Sequence, residues 1–230
     1  SSTGSRCVGA SDQIDLTIGC SLDGERSIST IRAQREKECV MCTENCWRSA
    51  VILVRGIPGS GKTTLVDAIC DLFFEDPEHK PFWLSERIAD FSADKYMVDE
   101  GGNYVFNPYR LKECHQSCFR DFGSALFGAL GDPGTAVDVS LVHNTFTQKW
   151  EMDPYVACCR GFGKRLIVVR CEGGFDNVHG VPADKVEVMR NRMDPFEGEI
   201  ALSREDLLSG EGAKKVYKHL IDICTKKEAK

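Results

Sequence analysis

Apolar residues fall along this chain in short unbroken runs and in helical stripes, and the two alternate from about residue 48 onward. Val51-Ile52-Leu53-Val54 is such a run, as expected of a strand buried on both faces. Leu65, Val66, Ala68, Ile69 and Leu72 follow at three- and four-residue steps, which predicts a helix. Arg87 to Phe91 predicts a second strand, ending in Ser92-Ala93-Asp94. Lys95 to Tyr109 sets Gly101-Gly102-Asn103 between polar and aromatic residues and reads as a hairpin or loop. Pro108 opens a helix with Leu111, His115, Cys118, Phe119, Phe122, Leu126 and Ala129 on one face, ended by Gly131-Asp132-Pro133-Gly134. Ala136 to Val142 and Leu166 to Val169 read as the third and fourth strands. Thr147 to Cys159 reads as a helix in which Asp153-Pro154 marks a kink or a restart. Pro182 to Met193 is a further predicted helix, and a helical tail follows. Such alternation predicts a parallel sheet with right-handed crossovers.

Between the first strand and its helix lies Gly56-Ile57-Pro58-Gly59-Ser60-Gly61-Lys62-Thr63, a complete G-x-x-x-x-G-K-[ST] phosphate-binding loop. Its glycines let the backbone turn so that successive N–H groups surround phosphate oxygens, and the helix adds its positive dipole end. Lys62 is expected to reach the β- and γ-phosphates, and the Thr63 hydroxyl to take a position on Mg²⁺. The expected nucleotide-binding set is Gly56, Ile57, Pro58, Gly59, Ser60, Gly61, Lys62, Thr63 and Thr64, with ATP and Mg²⁺ as ligands. Open parallel sheets bind at the carboxyl ends of their strands. Three such ends therefore converge: this loop, Ser92-Ala93-Asp94, and His143-Asn144-Thr145. That places Asp94 to accept a proton from an attacking hydroxyl; the competing reading is a helix N-cap.

The 230 residues suit one α/β domain with an appendage. We read residues 1–47 as a flexible N-terminal extension, 48–200 as the P-loop domain, and 201–230 as a C-terminal helical segment packed on it or trailing it. A net charge of -6 argues against bulk electrostatic affinity for nucleic acid, although Arg160, Lys164, Arg165 and Arg170 leave room for a local basic groove. Of the twelve cysteines, Cys70, Cys114, Cys118 and Cys171 fall inside predicted elements, where the thiol behaves as a small hydrophobe. Cys39, Cys42 and Cys46 form a cluster short of a fourth zinc ligand, so incidental thiols are the stronger reading. No secretory or membrane-spanning apolar run is visible, and many thiols suit a reducing compartment. The expectation is cytoplasmic, with the nucleus open and no membrane partner.

The strings Gly56 to Leu65, Ser92-Ala93-Asp94, Gly102-Asn103-Tyr104-Val105-Phe106-Asn107-Pro108, Asn144-Thr145, Trp150-Glu151-Met152-Asp153-Pro154-Tyr155 and Val178-His179-Gly180-Val181-Pro182 occur in that order. In this order they resemble the P-loop kinase domain of the NEDD-four-binding-protein group, related to polynucleotide 5′-hydroxyl kinases and zeta-toxin-like kinases, over about Val51 to Asp194. The resemblance implies a three-layer α/β P-loop fold of nucleoside- and polynucleotide-kinase type. It implies that Lys62 and Thr63 hold ATP and magnesium, and that Asp94 is the general base for a 5′-hydroxyl of single-stranded RNA or DNA. A small-molecule acceptor is the alternative. Arg192 matches a family arginine and would clamp phosphates, with Arg190 as its competitor; Asn144 is a further phosphate-side candidate. His115 and His179 match family positions, where packing is the commoner role of a lone histidine. Three departures stand out. His143 replaces an acid before Asn-Thr, Lys95 replaces an acid after the base, and Asp176 replaces an arginine. Trp150, Tyr155, Tyr104 and Phe106 could stack a base, although aromatics beside a sheet more often pack in the core or a lid.

Overall fold

The computed structural model describes residues 49–75, 88–127, 138–177 and 180–225. The expected N-terminal extension, the Cys39, Cys42 and Cys46 cluster, Arg87, Ala129, the Gly131–Gly134 turn and His179 lie outside the described residues. Five strands form one sheet: β1 (Ala50–Arg55), β2 (Ile88–Phe91), β3 (Val139–His143), β4 (Arg165–Cys171) and β5 (Ile200–Leu202). Their order is β2-β3-β1-β4-β5, and every pairing is parallel. Six α-helices are described: α1 (Lys62–Glu75), α2 (Leu111–Phe127), α3 (Lys149–Gly161), α4 (Ala183–Asn191), α5 (Arg204–Leu208) and α6 (Glu211–Thr225).

The central place of β1 explains its unbroken apolar run. Ala50, Ile52 and Val54 pack with Leu65, Ile69 and Phe73 of α1 and Val216 and Leu220 of α6. Val51 and Leu53 face the other way, onto Cys118 and Phe122 of α2 and Met152 and Tyr155 of α3. Each buried side chain of this size contributes about 1.5–3 kcal/mol, so a strand apolar on both faces draws helices to both. The result is the expected three-layer α/β sandwich.

Four expectations need correction. The chain after α4 is not wholly helical, since Ile200–Leu202 adds a fifth strand beside Val169–Cys171; three residues carry no readable period. The buried stripe of α2 is Cys114, Cys118, Phe122 and Leu126, while Leu111 is exposed. Pro108 opens a short 3₁₀ turn ahead of α2 rather than the helix itself. Pro154 neither starts nor restarts a helix but sits inside α3, where its missing N–H removes one bond near the N-terminal end. Arg170 stands apart from the other three residues of the suggested basic groove. Arg165 and Arg170 mark opposite ends of β4, about 17 Å apart at the rise of a strand, and Arg170 is paired with Glu172 and Glu199.

Candidate active site

The phosphate-binding loop leaves β1 at Gly56 and enters α1 at Lys62. Its glycines are required sterically. A Cβ on Gly56 would lie 2.3 Å from the Ser60 hydroxyl, and one on Gly59 2.5 Å from the Phe175 carbonyl. Both residues also have positive φ, at 151° and 75°. The segment after β4 closes on the loop: Phe175 N–H donates to the Gly59 carbonyl at 2.8 Å, and Gly173 N–H to that of Ser60 at 3.1 Å. Lys62 Nζ donates to the Gly56 and Ile57 carbonyls at 2.9 and 3.0 Å, so its ammonium lies across the loop. Burial pushes its pKa below the ordinary lysine range, opposed by Cys171 and the Asp94 carboxylate.

Phosphate fits this cradle. The first turn of α1 holds no acidic side chain, Thr63 and Thr64 are exposed there, and the buried Ser60 hydroxyl has no partner among the described residues. Among the described residues no cluster of three or more His, Cys, Asp or Glu could hold a metal. The exposed Thr63 hydroxyl is a hard oxygen donor beside this loop, of the type magnesium binds together with phosphate and water.

Asp94 stands on a 3₁₀ turn, Ala93–Tyr96, that directly follows β2. The cap of this turn is Ser92, whose hydroxyl accepts from Asp94 N–H at 3.3 Å; the N-cap reading of Asp94 is thereby excluded. Asn144, at the end of β3, accepts from Ala93 N–H at 2.9 Å and donates to Cys118 Sγ at 3.7 Å. It is buried beneath the turn, with both ends of its amide engaged. Asp94 is exposed, and its charge is felt by Lys62 on one side and by Tyr104 and His115 on another. It follows β2 at the carboxyl end of the sheet, the same end at which the phosphate loop leaves β1.

The two basic departures share one partner. His143 Nε2 lies 3.1 Å from Asp90 Oδ2, and Lys95 Nζ donates to Asp90 Oδ1 at 2.7 Å and to its carbonyl at 2.9 Å. The His143 contact holds the Asp90 carboxyl far below the usual range; burial opposes it and Lys95 adds to it. A carboxylate thus stands beside the end of β3, supplied from β2. Asp176, the third departure, is exposed in the segment that closes on the loop. In the same segment Arg204 of α5 bonds the Gly174 carbonyl and lies 4.6 Å over the Phe175 ring.

Arg192 caps α4, and its Nε donates to Thr147 Oγ1 at 2.8 Å, which brings it to the loop after β3. Arg190 pairs instead with Glu187 of its own helix. Arg55, absent from the expected site, is fully buried at the end of β1. Its Nε reaches the Phe146 carbonyl at 3.0 Å, its Nη2 the Thr147 carbonyl at 3.2 Å, and its Nη1 Glu199 at 3.1 Å. The signal for it was slight: a lone arginine between an apolar run and a glycine. A cavity of about 470 Å³ opens between α2 and α3, lined by His115, Phe119, Thr145, Phe146, Trp150, Glu151 and Tyr155 among others.

No family model matches this chain. Solved structures share its fold. Kti12 of Chaetomium thermophilum in complex with ADP-AlF₃ aligns with a TM-score of 0.53 at 13% identity, over 76% of this chain and 100% of that one. A Chloroflexus aurantiacus protein to which a kinase role is ascribed aligns at 0.51 and 16% identity, over 76% and 97%. The Mycobacterium tuberculosis APS kinase CysC with AMPPNP and APS aligns at 0.47 and 13%, over 76% and 98%. The chain has the P-loop kinase fold.

Proposed function

We propose that this protein is an ATP-dependent phosphotransferase of the NEDD-four-binding-protein type, and that its acceptor is the 5′-hydroxyl of a single-stranded polynucleotide. The observation that carries the reading is Asp94, braced by Ser92 and Asn144 and electrostatically coupled to Lys62 across the loop. Bound Mg·ATP would supply the phosphoryl group and its charge neutralisation. Loop amides from Gly59 to Thr63 and the end of α1 hold the phosphate tail, and Lys62 leaves its carbonyls to meet the γ-phosphate. Asp94 takes the proton from the acceptor hydroxyl as its oxygen bonds the γ-phosphorus and the bond to the bridging β,γ-oxygen breaks, leaving ADP. Arg192, held at Thr147, adds a forked cation to the equatorial oxygens. Asn144 acts as a positioning residue beneath Asp94.

Incubation with γ-labelled ATP and a single-stranded 5′-hydroxyl oligonucleotide tests this. Label on the oligonucleotide is expected. Label appearing instead on a nucleoside, sugar or other small metabolite would reject the polynucleotide. A second reading, a nucleotide-binding module without transfer, draws on the His143–Asp90 and Lys95–Asp90 contacts, which occupy the carboxylate nearest the end of β3. Saturable ATP binding with no labelled product from any acceptor would favour it.

A further inference from the structure

The cavity between α2 and α3 is lined mainly by aromatic side chains. It falls within the roughly 300–1,000 Å³ common for small-ligand sites. Phe119, Phe146, Trp150 and Tyr155 contribute four rings to its lining. Trp150, one of these rings, is 64% exposed and so open to a ligand from solvent. Polar groups are few: His115 and Gln116 from α2, Glu151 from α3, Thr145 from the loop after β3, and the exposed Lys112.

Phe146 marks this cavity as built. It is the one non-glycine residue with positive φ, 42°, among those described. Left-handed backbone in a bulky aromatic costs about 1–3 kcal/mol and persists only where its surroundings impose it. They do so here through the buried Arg55 guanidinium, which holds the Phe146 and Thr147 carbonyls. The strained turn sets the Phe146 ring edge-on to Tyr155 at 5.3 Å. Thr145 connects the cavity to the chemistry: it lines the cavity and follows Asn144, which accepts from the N–H of Ala93 beside Asp94. At His115, which also lines the cavity, burial pushes the pKa down, and the Glu151 and Asp94 carboxylates oppose that shift.

A sugar or polyol would find too few hydrogen-bond partners among these rings, and an alkyl chain would leave His115, Gln116 and Glu151 desolvated without compensation. A flat heterocycle with two apolar faces and a polar edge satisfies both kinds of group in the lining. We propose that this cavity seats the base of the acceptor's 5′-terminal nucleotide, between the Trp150 and Phe119 rings and with its polar edge toward His115 and Glu151, so that the attached 5′-hydroxyl meets Asp94. The exposed Lys112 then suits the first phosphodiester. The proposal rests on the polynucleotide reading above and makes the enzyme a reader of its terminal base.

The test uses the full chain with Mg·ATP and two single-stranded 5′-hydroxyl oligonucleotides, one normal and one lacking its 5′-terminal base. The abasic end is expected to raise KM about tenfold or more while moving kcat less. Trp150→Ala should reproduce that rise with the normal oligonucleotide and change little with the abasic one. Equal KM for the two acceptors overturns the base seat while leaving the phosphotransferase intact. If neither oligonucleotide is labelled, the polynucleotide reading fails and binding judges the cavity: adenosine should quench fluorescence in the wild type and not in Trp150→Phe. Identical titrations of the two proteins would then overturn the base seat as well.

Discussion

On the proposed reading, a single carboxylate, Asp94, carries the difference between a kinase and a nucleotide-binding module. Asp94→Asn keeps the turn and its Ser92 cap but cannot take a proton. Transfer should therefore fall about 10²–10⁴-fold, with ATP affinity by calorimetry changed less than about threefold; equal transfer in both proteins would remove Asp94 from the mechanism. Asp90 makes a separate case, readable in stability. Its folded pKa is depressed, first by the His143 contact and then, against the opposing cost of burial, by Lys95. A depressed carboxyl adds stability that is complete above the unfolded value of about 3.9 and fades as pH falls toward the folded value. The urea midpoint of Asp90→Asn should lie below that of the wild type by a constant gap near pH 6, and the gap should narrow below about pH 4. A gap unchanged down to pH 3 would mean that the His143 and Lys95 contacts do not stabilise the ionised form. Neither partner of Asp90 was legible in the sequence as such. His143 is 53 positions away, and both basic residues looked like losses until β2 lay beside β3.

Elements whose information is contiguous were read well. β1, the phosphate loop and α1 follow one another without a break, so local pattern suffices, and the same holds for Asp94 at the exit of β2. What escaped was whatever depends on distant pairing. β5 is three residues long and exists as a strand because Cys171 and its neighbours offer an edge. Arg55 drew no reading from the sequence, since its partners stand 91, 92 and 144 residues away. The buried guanidinium ties the end of β1 to the loop after β3 and to the approach to β5, and through Thr147 to Arg192. Arg55→Met removes one side of a buried ion pair and releases the strained Phe146. We expect a loss of about 3–5 kcal/mol by urea unfolding, with transfer per folded molecule also reduced because Thr147 no longer presents Arg192. A stable Arg55→Met protein with unaltered kcat would show that the charge network serves neither purpose. Arg55→Lys should recover little, since one ammonium cannot reproduce the forked contacts.

At the scale of the whole molecule, charge works against a polyanionic acceptor: 29 basic residues face 35 acidic ones. No described helix is long and apolar enough to cross a membrane, and the phosphate loop and Asp94 lie at the carboxyl ends of the strands, where open parallel sheets bind their ligands. A protein with a net charge of -6 has no long-range field to draw in nucleic acid, so affinity for a strand must come from short-range contacts with its first nucleotide or two. Salt dependence measures this directly. Each phosphate neutralised on a single strand adds about -0.7 to the slope of log affinity against log salt. Contacts confined to the region of Lys112 and one neighbouring cation predict a slope near -1.4, so KM for a 5′-hydroxyl oligonucleotide should rise only about sevenfold between 50 and 200 mM salt. Lengthening the oligonucleotide beyond a few residues should then lower KM little. A slope of about -3 or steeper would require four or more phosphates to be gripped. In that case recognition would run along the strand on a basic track, and the terminal nucleotide would no longer be where this enzyme finds its affinity.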